Sequence, residues 1–235
     1  MSQSHDTTQQ LARSWDANAN AWTRLVRSHG IESRRVATDA AIVDAISASS
    51  PKRVLDVGCG EGWLCRALAD RGINAVGVDG SAALIESARA LTGGEFHHLS
   101  YEKLAANPEQ LGVASYDLIV CNFSLLHEEL DQLLGSLSTM LEVSGALLIQ
   151  TVHPWSARGT AAYTDGWRTE SFSSYPEAFA QSMPWYYRTL GSWVEVLQHA
   201  GFAIEQIIEP AHPDTGDPLS LLIAAKPTLR GRVDD

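Results

Sequence analysis

The segment Val-Leu-Asp-Val-Gly-Cys-Gly-Glu-Gly at positions 54–62 constrains the fold of this chain more than any other feature. A short apolar run, typical of a buried strand, ends there in Gly58, Gly60 and Gly62, and a helical pattern follows. Glycine lets a backbone turn sharply and approach a ligand closely, and the free N–H groups at the start of the next helix attract an anion or a carboxylate. The segment therefore predicts a ligand-binding loop between a strand and a helix.

The residues around this loop alternate between strand and helix patterns. Strands are expected at 53–57, 74–78, 95–99, 116–121 and 146–152, and helices at 62–71, 81–91 and 130–141. Neighbouring parallel strands need crossover connections of this length. Together with the two C-terminal strands described next, the alternation predicts an α/β fold with a doubly wound, seven-stranded, mostly parallel sheet covered by helices on both faces.

The two ends of the chain complete a single expected domain over residues 1–235. Its expected parts are an N-terminal helical cap (1–50, with helices at 16–29 and 38–48), a ligand-binding core (51–152), an aromatic insertion (153–189) and a C-terminal part (190–226). The C-terminal part contains a helix at 190–200 and strands at 202–209 and 219–226. The loop between these two strands is too short for a crossover helix, which predicts an antiparallel hairpin at the sheet edge.

Asp79 is the second feature that points to a ligand, because it ends the second predicted strand about twenty residues after the glycines. A carboxylate there can accept hydrogen bonds from both hydroxyls of a ribose, which indicates an adenosine-type ligand. A dinucleotide-binding loop requires a small residue at position 63 for tight packing around a pyrophosphate. The chain has Trp63 there, which argues against a nicotinamide dinucleotide.

Three motifs occur in the order and at the intervals found in one enzyme family. They are the glycine segment at 54–62, Gly-Val-Asp-Gly-Ser at 77–81 and Tyr-Asp-Leu-Ile-Val-Cys-Asn-Phe-Ser-Leu-Leu-His at 116–127. Together they resemble the class I S-adenosylmethionine-dependent methyltransferases over roughly residues 50–226. The resemblance implies a Rossmann-like methyltransferase fold, S-adenosyl-L-methionine as cofactor and S-adenosyl-L-homocysteine as product.

The resemblance also implies which positions contact the cofactor. Asp56, Gly58, Cys59 and Gly60 would surround its methionine part, and Asp79 would bind its ribose. Gly80 and Ser81 would line the adenine, and Asn122 and Phe123 would contact the methionine part or the sulfonium side. The family often has an acidic residue after the third strand; this chain has His-Leu-Ser-Tyr-Glu at 98–102, so Ser100 or Tyr101 would take the adenine contact.

Methyl transfer from a sulfonium needs no protonation of the leaving group, so a general base is required only when the acceptor atom holds a proton at neutral pH. His127 follows the fourth predicted strand and His153 the fifth, both at the carboxyl edge of the sheet where ligands bind in this fold. Each is a candidate base, and each could instead be a hydrogen-bonded structural histidine.

The insertion at 153–189 is unusually rich in aromatic residues. Because it follows the fifth strand, it is expected to lie over the carboxyl edge of the sheet, where aromatic walls with polar tips suit a small organic acceptor. Trp185, Tyr186, Tyr187 and Arg188 are the candidate acceptor contacts, together with Trp15 from the N-terminal leader. The alternative is an aromatic mini-core that only seals the end of the sheet.

Charge and cysteine content limit the class of function. With 17 basic and 28 acidic residues the net charge is −11, which repels phosphate backbones and makes nucleic acid an unfavourable partner. Three cysteines without metal-type spacing predict no metal site, and the lack of a secretory leader or long apolar run predicts a cytoplasmic protein without membrane contact, as a monomer or homodimer.

The predicted function is methyl transfer from S-adenosylmethionine to a small-molecule acceptor by in-line displacement. Two other functions stay open at this stage. One is a non-catalytic regulatory protein that binds S-adenosylmethionine, and the other is a nicotinamide-dependent oxidoreductase.

Overall fold

The computed structural model describes residues 2–112 and 115–228 of the chain. The N-terminal part contains helix α1 (Ser2–Arg27), a π-helical turn (Arg34–Thr38) and helix α2 (Asp39–Ser49). The core then continues with β1 (Arg53–Val57), α3 (Trp63–Ala69), β2 (Asn74–Asp79), α4 (Ala82–Arg89), β3 (Glu95–His98), α5 (Tyr101–Ala106), a 3₁₀ turn (Pro108–Leu111), β4 (Tyr116–Asn122), α6 (Asp131–Met140) and β5 (Leu141–Val152).

The remaining residues form the insertion and the C-terminal part. They contain α7 (Pro154–Ala157), β6 (Gly166–Glu170), β7 (Met183–Tyr187), α8 (Leu190–His199), β8 (Phe202–Ile208) and β9 (Ser220–Pro227). Strands β6 and β7 pair with each other as a separate two-stranded antiparallel sheet, which the sequence patterns did not predict. No helix among the described residues is long and apolar enough to cross a membrane.

The main sheet has seven strands in the order β3-β2-β1-β4-β5-β9-β8. Strands β1 to β5 pair in parallel, while β9 runs antiparallel to both of its neighbours, β5 and β8. This arrangement confirms the predicted doubly wound sheet with a C-terminal antiparallel hairpin. The strand order reverses between β1 and β4, and ligands bind α/β sheets at the carboxyl ends of strands beside such a switch point.

An apolar layer covers each face of the sheet. Successive residues of a strand point to opposite faces, so Leu55 and Val57 join one layer and Val54 joins the other. The first layer includes Leu134 of α6 and Leu197 of α8. The second layer is built from α2, α3 and α4, with Ile42, Ile46, Leu64, Leu68 and Ile85 buried.

The larger differences from the sequence-based expectation concern helix α1, strand β5 and an additional helix, α5. Helix α1 starts at Ser2 instead of residue 16, because the turns around Leu11 and Ser14 are themselves buried. Strand β5 starts at Leu141, where it pairs with Tyr116 ahead of an irregularity in register. The additional helix α5 begins after Ser100, whose hydroxyl caps it by accepting a hydrogen bond from the Lys103 N–H at 3.4 Å.

Candidate active site

The glycine-rich loop joins the end of β1 to the start of α3. The backbone nitrogens of Gly58 and Cys59 donate hydrogen bonds of 2.8 and 3.0 Å to the carbonyl oxygen of Val78, which fixes the loop to β2. Gly58 has a φ of +80°, and a Cβ added there would lie 2.3 Å from the Cβ of Ser124. Gly60 also has a positive φ, +57°, but nothing lies within 4 Å of its Cβ position. The loop is therefore closely packed at Gly58 and open at Gly60.

The carboxylate of Asp79 lies beside this loop at the end of β2. Its Oδ2 accepts a hydrogen bond of 2.9 Å from the Gly60 N–H, and its Oδ1 accepts one of 2.8 Å from the Ser81 N–H. Burial raises the pKa of Asp79, and the two N–H donors partly oppose that shift. Ser81 caps helix α4 and donates a hydrogen bond of 2.6 Å to Asp16 of α1. The N-terminal helix is thus joined to the strand end that carries Asp79.

Asp56 occupies a different position from the other predicted cofactor residues, because it is buried beneath the loop. Its Oδ2 lies 3.7 Å from the Sγ of Cys65, and within the described ranges its Oδ1 has no hydrogen-bond partner. Burial, followed by the charge of Asp79, raises the pKa of Asp56 to about 7. The Cys65 thiol partly opposes this shift.

The loop opens on a cavity of about 540 Å³ at the carboxyl edge of the sheet. Every cofactor residue expected from the sequence, except Asp56, lines this cavity: Gly58, Cys59, Gly60, Asp79, Gly80, Ser81, Ser100, Tyr101, Asn122 and Phe123. Tyr101 is held in place by a hydrogen bond of 2.9 Å from its hydroxyl to the carbonyl oxygen of Ser124. Residues from three separate motifs therefore meet on one wall.

Asn122 on this wall is oriented by Gln150, a residue that sequence reasoning missed. The Nε2 of Gln150 donates to the carbonyl oxygen of Thr38 at 3.0 Å and to the Oδ1 of Asn122 at 2.9 Å. The carbonyl oxygen of Thr38 can only accept, so the amide nitrogen of Gln150 must point towards it. The same nitrogen then donates to Asn122, which must accept with its amide oxygen. Among the described residues nothing accepts from the amide nitrogen of Asn122, which leaves it available as a donor. The sequence signal was a lone glutamine inside the apolar run Ala-Leu-Leu-Ile-Gln-Thr-Val of β5.

A second part of the cavity lining is aromatic. It is formed by α1 and the insertion, including β7, and its rings are Trp15, Trp22, Phe172, Tyr175 and Trp185. Trp22 packs edge-on against Trp15 and against Phe172, with ring centroids 5.4 and 6.5 Å apart. Trp15 and Trp185 were expected as acceptor contacts, and Phe172 and Tyr175 belong to the aromatic insertion expected to lie over this edge of the sheet. These five rings are called the aromatic wall below.

The side chain of Asn18 joins α1 to the insertion next to the aromatic wall. Its Nδ2 donates to the carbonyl oxygen of Gln181 at 2.8 Å, and its Oδ1 accepts from the N–H groups of Ala180 and Gln181 at 2.9 and 3.1 Å. Asn18 is 2% exposed. The two segments that carry most of the wall are therefore held together as one cover.

The other three predicted acceptor residues do not line the cavity. Tyr186 packs edge-on against Trp167, and Tyr187 donates a hydrogen bond of 2.7 Å to the carbonyl oxygen of Pro154. Arg188 is buried, donates from Nη2 to the carbonyl oxygen of Glu128 and lies close to the ring of Tyr186. These three side chains pack at the end of the sheet, away from the cavity lining.

The two candidate histidines are also separated by the structure. His127 lines the cavity, with its ring 5.2 Å from the ring of Tyr101, and its buried Nδ1 has no partner among the described residues. Burial lowers the pKa of His127, which favours the neutral imidazole that a base requires. His153 lies outside the cavity lining, where its Nε2 is 2.7 Å from the Oε1 of Glu209.

Arg34 is the arginine on the cavity lining, and sequence reasoning did not single it out. Its Nε donates to Asp39 at 2.8 Å, and its guanidinium lies 4.4 Å from the centre of the Trp63 ring. Trp63 lines the same part of the cavity, directly after the glycine-rich loop. Among residues 2–112 and 115–228, no group of three or more His, Cys, Asp or Glu side chains could hold a metal ion.

Comparisons with known proteins place these features in a family. A family model described as a methyltransferase domain matches residues 31–207. The chain is 32% identical over 108 residues to a ubiquinone biosynthesis O-methyltransferase of Marinobacter nauticus, a match that covers 43% of this chain and 44% of that relative. The chain thus spans less than half the length of this curated relative.

Solved structures show the same fold. An S-adenosylmethionine-dependent methyltransferase of Mesorhizobium loti matches with a TM-score of 0.58 at 26% identity, covering 77% of this chain and 95% of that one. The 1,6-didemethyltoxoflavin-N1-methyltransferase of Burkholderia thailandensis, solved with 1,6-didemethyltoxoflavin and S-adenosylhomocysteine bound, has a TM-score of 0.65 at 19% identity and covers 96% and 90% of the two chains. Because the family model matches most of the 235 residues, the chain belongs to the methyltransferase domain family and is an S-adenosylmethionine-dependent methyltransferase of class I.

Proposed function

We propose that this methyltransferase modifies a small organic acceptor, which binds against the aromatic wall while the cofactor lies along the glycine-rich loop. The observation that carries the proposal is a single cavity whose lining includes both the glycine-rich loop and the aromatic wall. Its volume of about 540 Å³ falls within the range of pockets that enclose small molecules. A net charge of −11 further favours a small acceptor over a nucleic acid.

The residues on the loop side fit S-adenosylmethionine. Asp79 is held by two backbone N–H groups and keeps further lone pairs with which to accept from the ribose hydroxyls. Gly60 faces open space, so a ligand can approach its backbone. We assign the cofactor's carboxylate to the guanidinium of Arg34 and to the free amide nitrogen of Asn122, both of which are donors on the cavity lining.

Asp56 would act on the cofactor from beneath the loop. Its unpartnered Oδ1 is a buried acceptor, and a bound ammonium group close to the loop would stabilise its ionised form. S-adenosylmethionine supplies a methyl group on a sulfonium, whose displacement in line requires orientation but no acid. The chain's main contribution is therefore to align the acceptor with the methyl group of the cofactor and to exclude water.

His127 is our candidate for the general base, because it lines the cavity and is kept neutral by burial. A base in contact with the acceptor contributes about 10²- to 10⁴-fold to the rate when the acceptor atom carries a proton. His153 is engaged with Glu209 away from the cavity lining, and we propose that it supports the turn between β5 and α7. Trp15 and Trp185 are the acceptor contacts retained from the sequence analysis.

The relatives named ubiquinone biosynthesis O-methyltransferases support a small organic acceptor. The proposal is tested with methyl-tritiated S-adenosylmethionine and a panel of small aromatic amines and phenols, a peptide mixture and total RNA. Label is expected in a small-molecule product. Label that enters only peptide or RNA, with every small acceptor left unmodified, would overturn the proposed acceptor class.

A further inference from the structure

A carboxylate, Glu170 at the end of β6, lines the cavity next to Phe172 of the aromatic wall. Its Oε1 accepts a hydrogen bond of 2.7 Å from the Phe172 N–H, which fixes the side chain against the following loop. Within the described part of the chain, no protein group donates a hydrogen bond to its Oε2. One oxygen of a half-buried carboxylate is therefore available to a ligand.

The charged residues elsewhere on the cavity lining do not neutralise Glu170. Arg34 is engaged with Asp39 and with the ring of Trp63, beside the glycine-rich loop. Glu61 is buried and paired with Arg27 and Arg66. The charge of Glu170 acts at the aromatic wall, because it adds to burial in raising the pKa of Tyr175.

A flat apolar acceptor that filled this part of the cavity would strip water from Glu170. Desolvating a carboxylate without a partner is strongly unfavourable, so the acceptor has to bring its own donor to that oxygen. Aromatic faces attract cations as well, which favours a positively charged donor over a neutral one. An acceptor with a carboxylate at this position would meet repulsion and an apolar surface together.

Resting on the proposed function, we propose that the acceptor is an aromatic amine-bearing molecule whose cationic nitrogen binds Glu170, and that Glu170 is the residue that selects it. The ring of the acceptor packs on the aromatic wall, and its ammonium group donates to Oε2. Glu170 is thereby a specificity-determining residue that discriminates acceptors by charge.

The test compares two probes of similar size and opposite charge, 2-phenylethylamine and 3-phenylpropionate. Each is titrated by calorimetry into protein saturated with S-adenosylhomocysteine. The amine is expected to bind at least about tenfold more tightly than the acid, the factor that corresponds to one charge-assisted hydrogen bond. Glu170→Gln keeps an oxygen for the Phe172 N–H, and it is expected to weaken amine binding about tenfold.

Glu102→Gln is the matched control, because Glu102 also lines the cavity but is exposed on α5. This control variant is expected to bind the amine within about twofold of wild type. Equal loss in both variants would reduce the effect to general electrostatics and overturn the proposal. Tighter binding of the acid, or no amine binding while S-adenosylhomocysteine is bound, would also overturn it. Failure of S-adenosylhomocysteine itself to bind would instead contradict the cofactor half of the proposed function.

Discussion

The Oδ2 atom of Asp79 lies 2.9 Å from the backbone nitrogen of Gly60, so the carboxylate at the end of β2 also holds the glycine-rich loop. Its Oδ1 is bonded in the same way to the nitrogen of Ser81, at the start of α4. One side chain therefore fixes the loop, the start of a helix and the expected position of the ribose. Changes at Asp79 should affect ligand binding and loop order together.

Asp79→Ala is expected to weaken S-adenosylhomocysteine binding by about 2 kcal/mol, or roughly thirtyfold, since charge-assisted hydrogen bonds to the ribose are lost and only partly replaced by water. Asp79→Asn keeps one acceptor oxygen and should lose less affinity. Calorimetry gives the dissociation constants, and circular dichroism checks that each variant is folded. An unchanged constant in a folded Asp79→Ala variant would remove Asp79 from the site.

Alanine substitutions at Gly58 and Gly60 should separate loop packing from ligand access. Gly58→Ala combines a positive φ with a Cβ 2.3 Å from Ser124, and it should cost about 3 kcal/mol of stability. Gly60→Ala meets no atom within 4 Å and should cost only about 1 kcal/mol for its positive φ.

Because Gly60 faces the cavity, its new methyl group should nevertheless lower S-adenosylhomocysteine affinity at least about tenfold. The two measurements are urea unfolding and calorimetry on both variants. Equal stability losses would contradict the packing at Gly58, and normal ligand affinity in Gly60→Ala would contradict the assigned ligand path.

Asp56 should make the ligand-free protein less stable as pH rises. Its pKa is raised to about 7 when folded, so the folded state holds a proton that the unfolded state releases near pH 4. The contribution of Asp56 to the free energy of unfolding is fully present below about pH 4 and is lost as the pH rises through 7. As the pH rises from 5 to 8, the free energy of unfolding of Asp56→Asn should increase by about 2 kcal/mol relative to that of wild type. Urea unfolding across this range measures the difference, and parallel pH profiles of the two proteins would refute the buried ionisation.

His127 and His153 should respond differently to substitution once an acceptor has been found. His127→Gln should lower turnover at least about a hundredfold with unchanged S-adenosylhomocysteine affinity, whereas His153→Gln should reduce stability and leave turnover near wild type. The lowered pKa of His127 places the acid limb of kcat/KM below pH 6.5, because the base must be neutral to act. That limb should disappear in His127→Gln. Its persistence there would assign the limb to another group.

Asn18→Ala should loosen the cover over the cavity. The substitution removes three hydrogen bonds between α1 and the insertion and should cost about 2 kcal/mol of unfolding free energy. Asn20→Ala, at an exposed position of the same helix, is the control and should change stability by less than about 0.5 kcal/mol. Hydrogen exchange over residues 171–182 should accelerate only in Asn18→Ala. Equal exchange in both variants would show that Asn18 does not hold the insertion.

Three candidate residues lie away from the cavity lining for a common reason. His153 follows β5 as predicted, but the next residues turn into α7, and its ring lies against Glu209 of the loop after β8. Tyr187 and Arg188 likewise pack on Pro154 and Glu128. Each of these partners is at least 33 residues away in the chain. The direction of a side chain after a strand end depends on such distant partners, so a local pattern does not reveal it.

The sequence by itself determined the features that depend on short separations. Successive residues of a strand point to opposite faces, so the strand pattern at 53–57 assigns Val54 and Leu55 to opposite faces of the sheet. The spacing from Gly60 to Asp79 brings both to one edge, because parallel strands end at the same side of a sheet. Only the tertiary structure decided the acceptor half of the site. Asn18 bonds to a segment 163 residues further on, and Trp22 meets Phe172 across a comparable separation. Contacts of that kind arise from how a long insertion folds back over the sheet, where total buried area and hydrogen bonding decide and no local periodicity records the outcome.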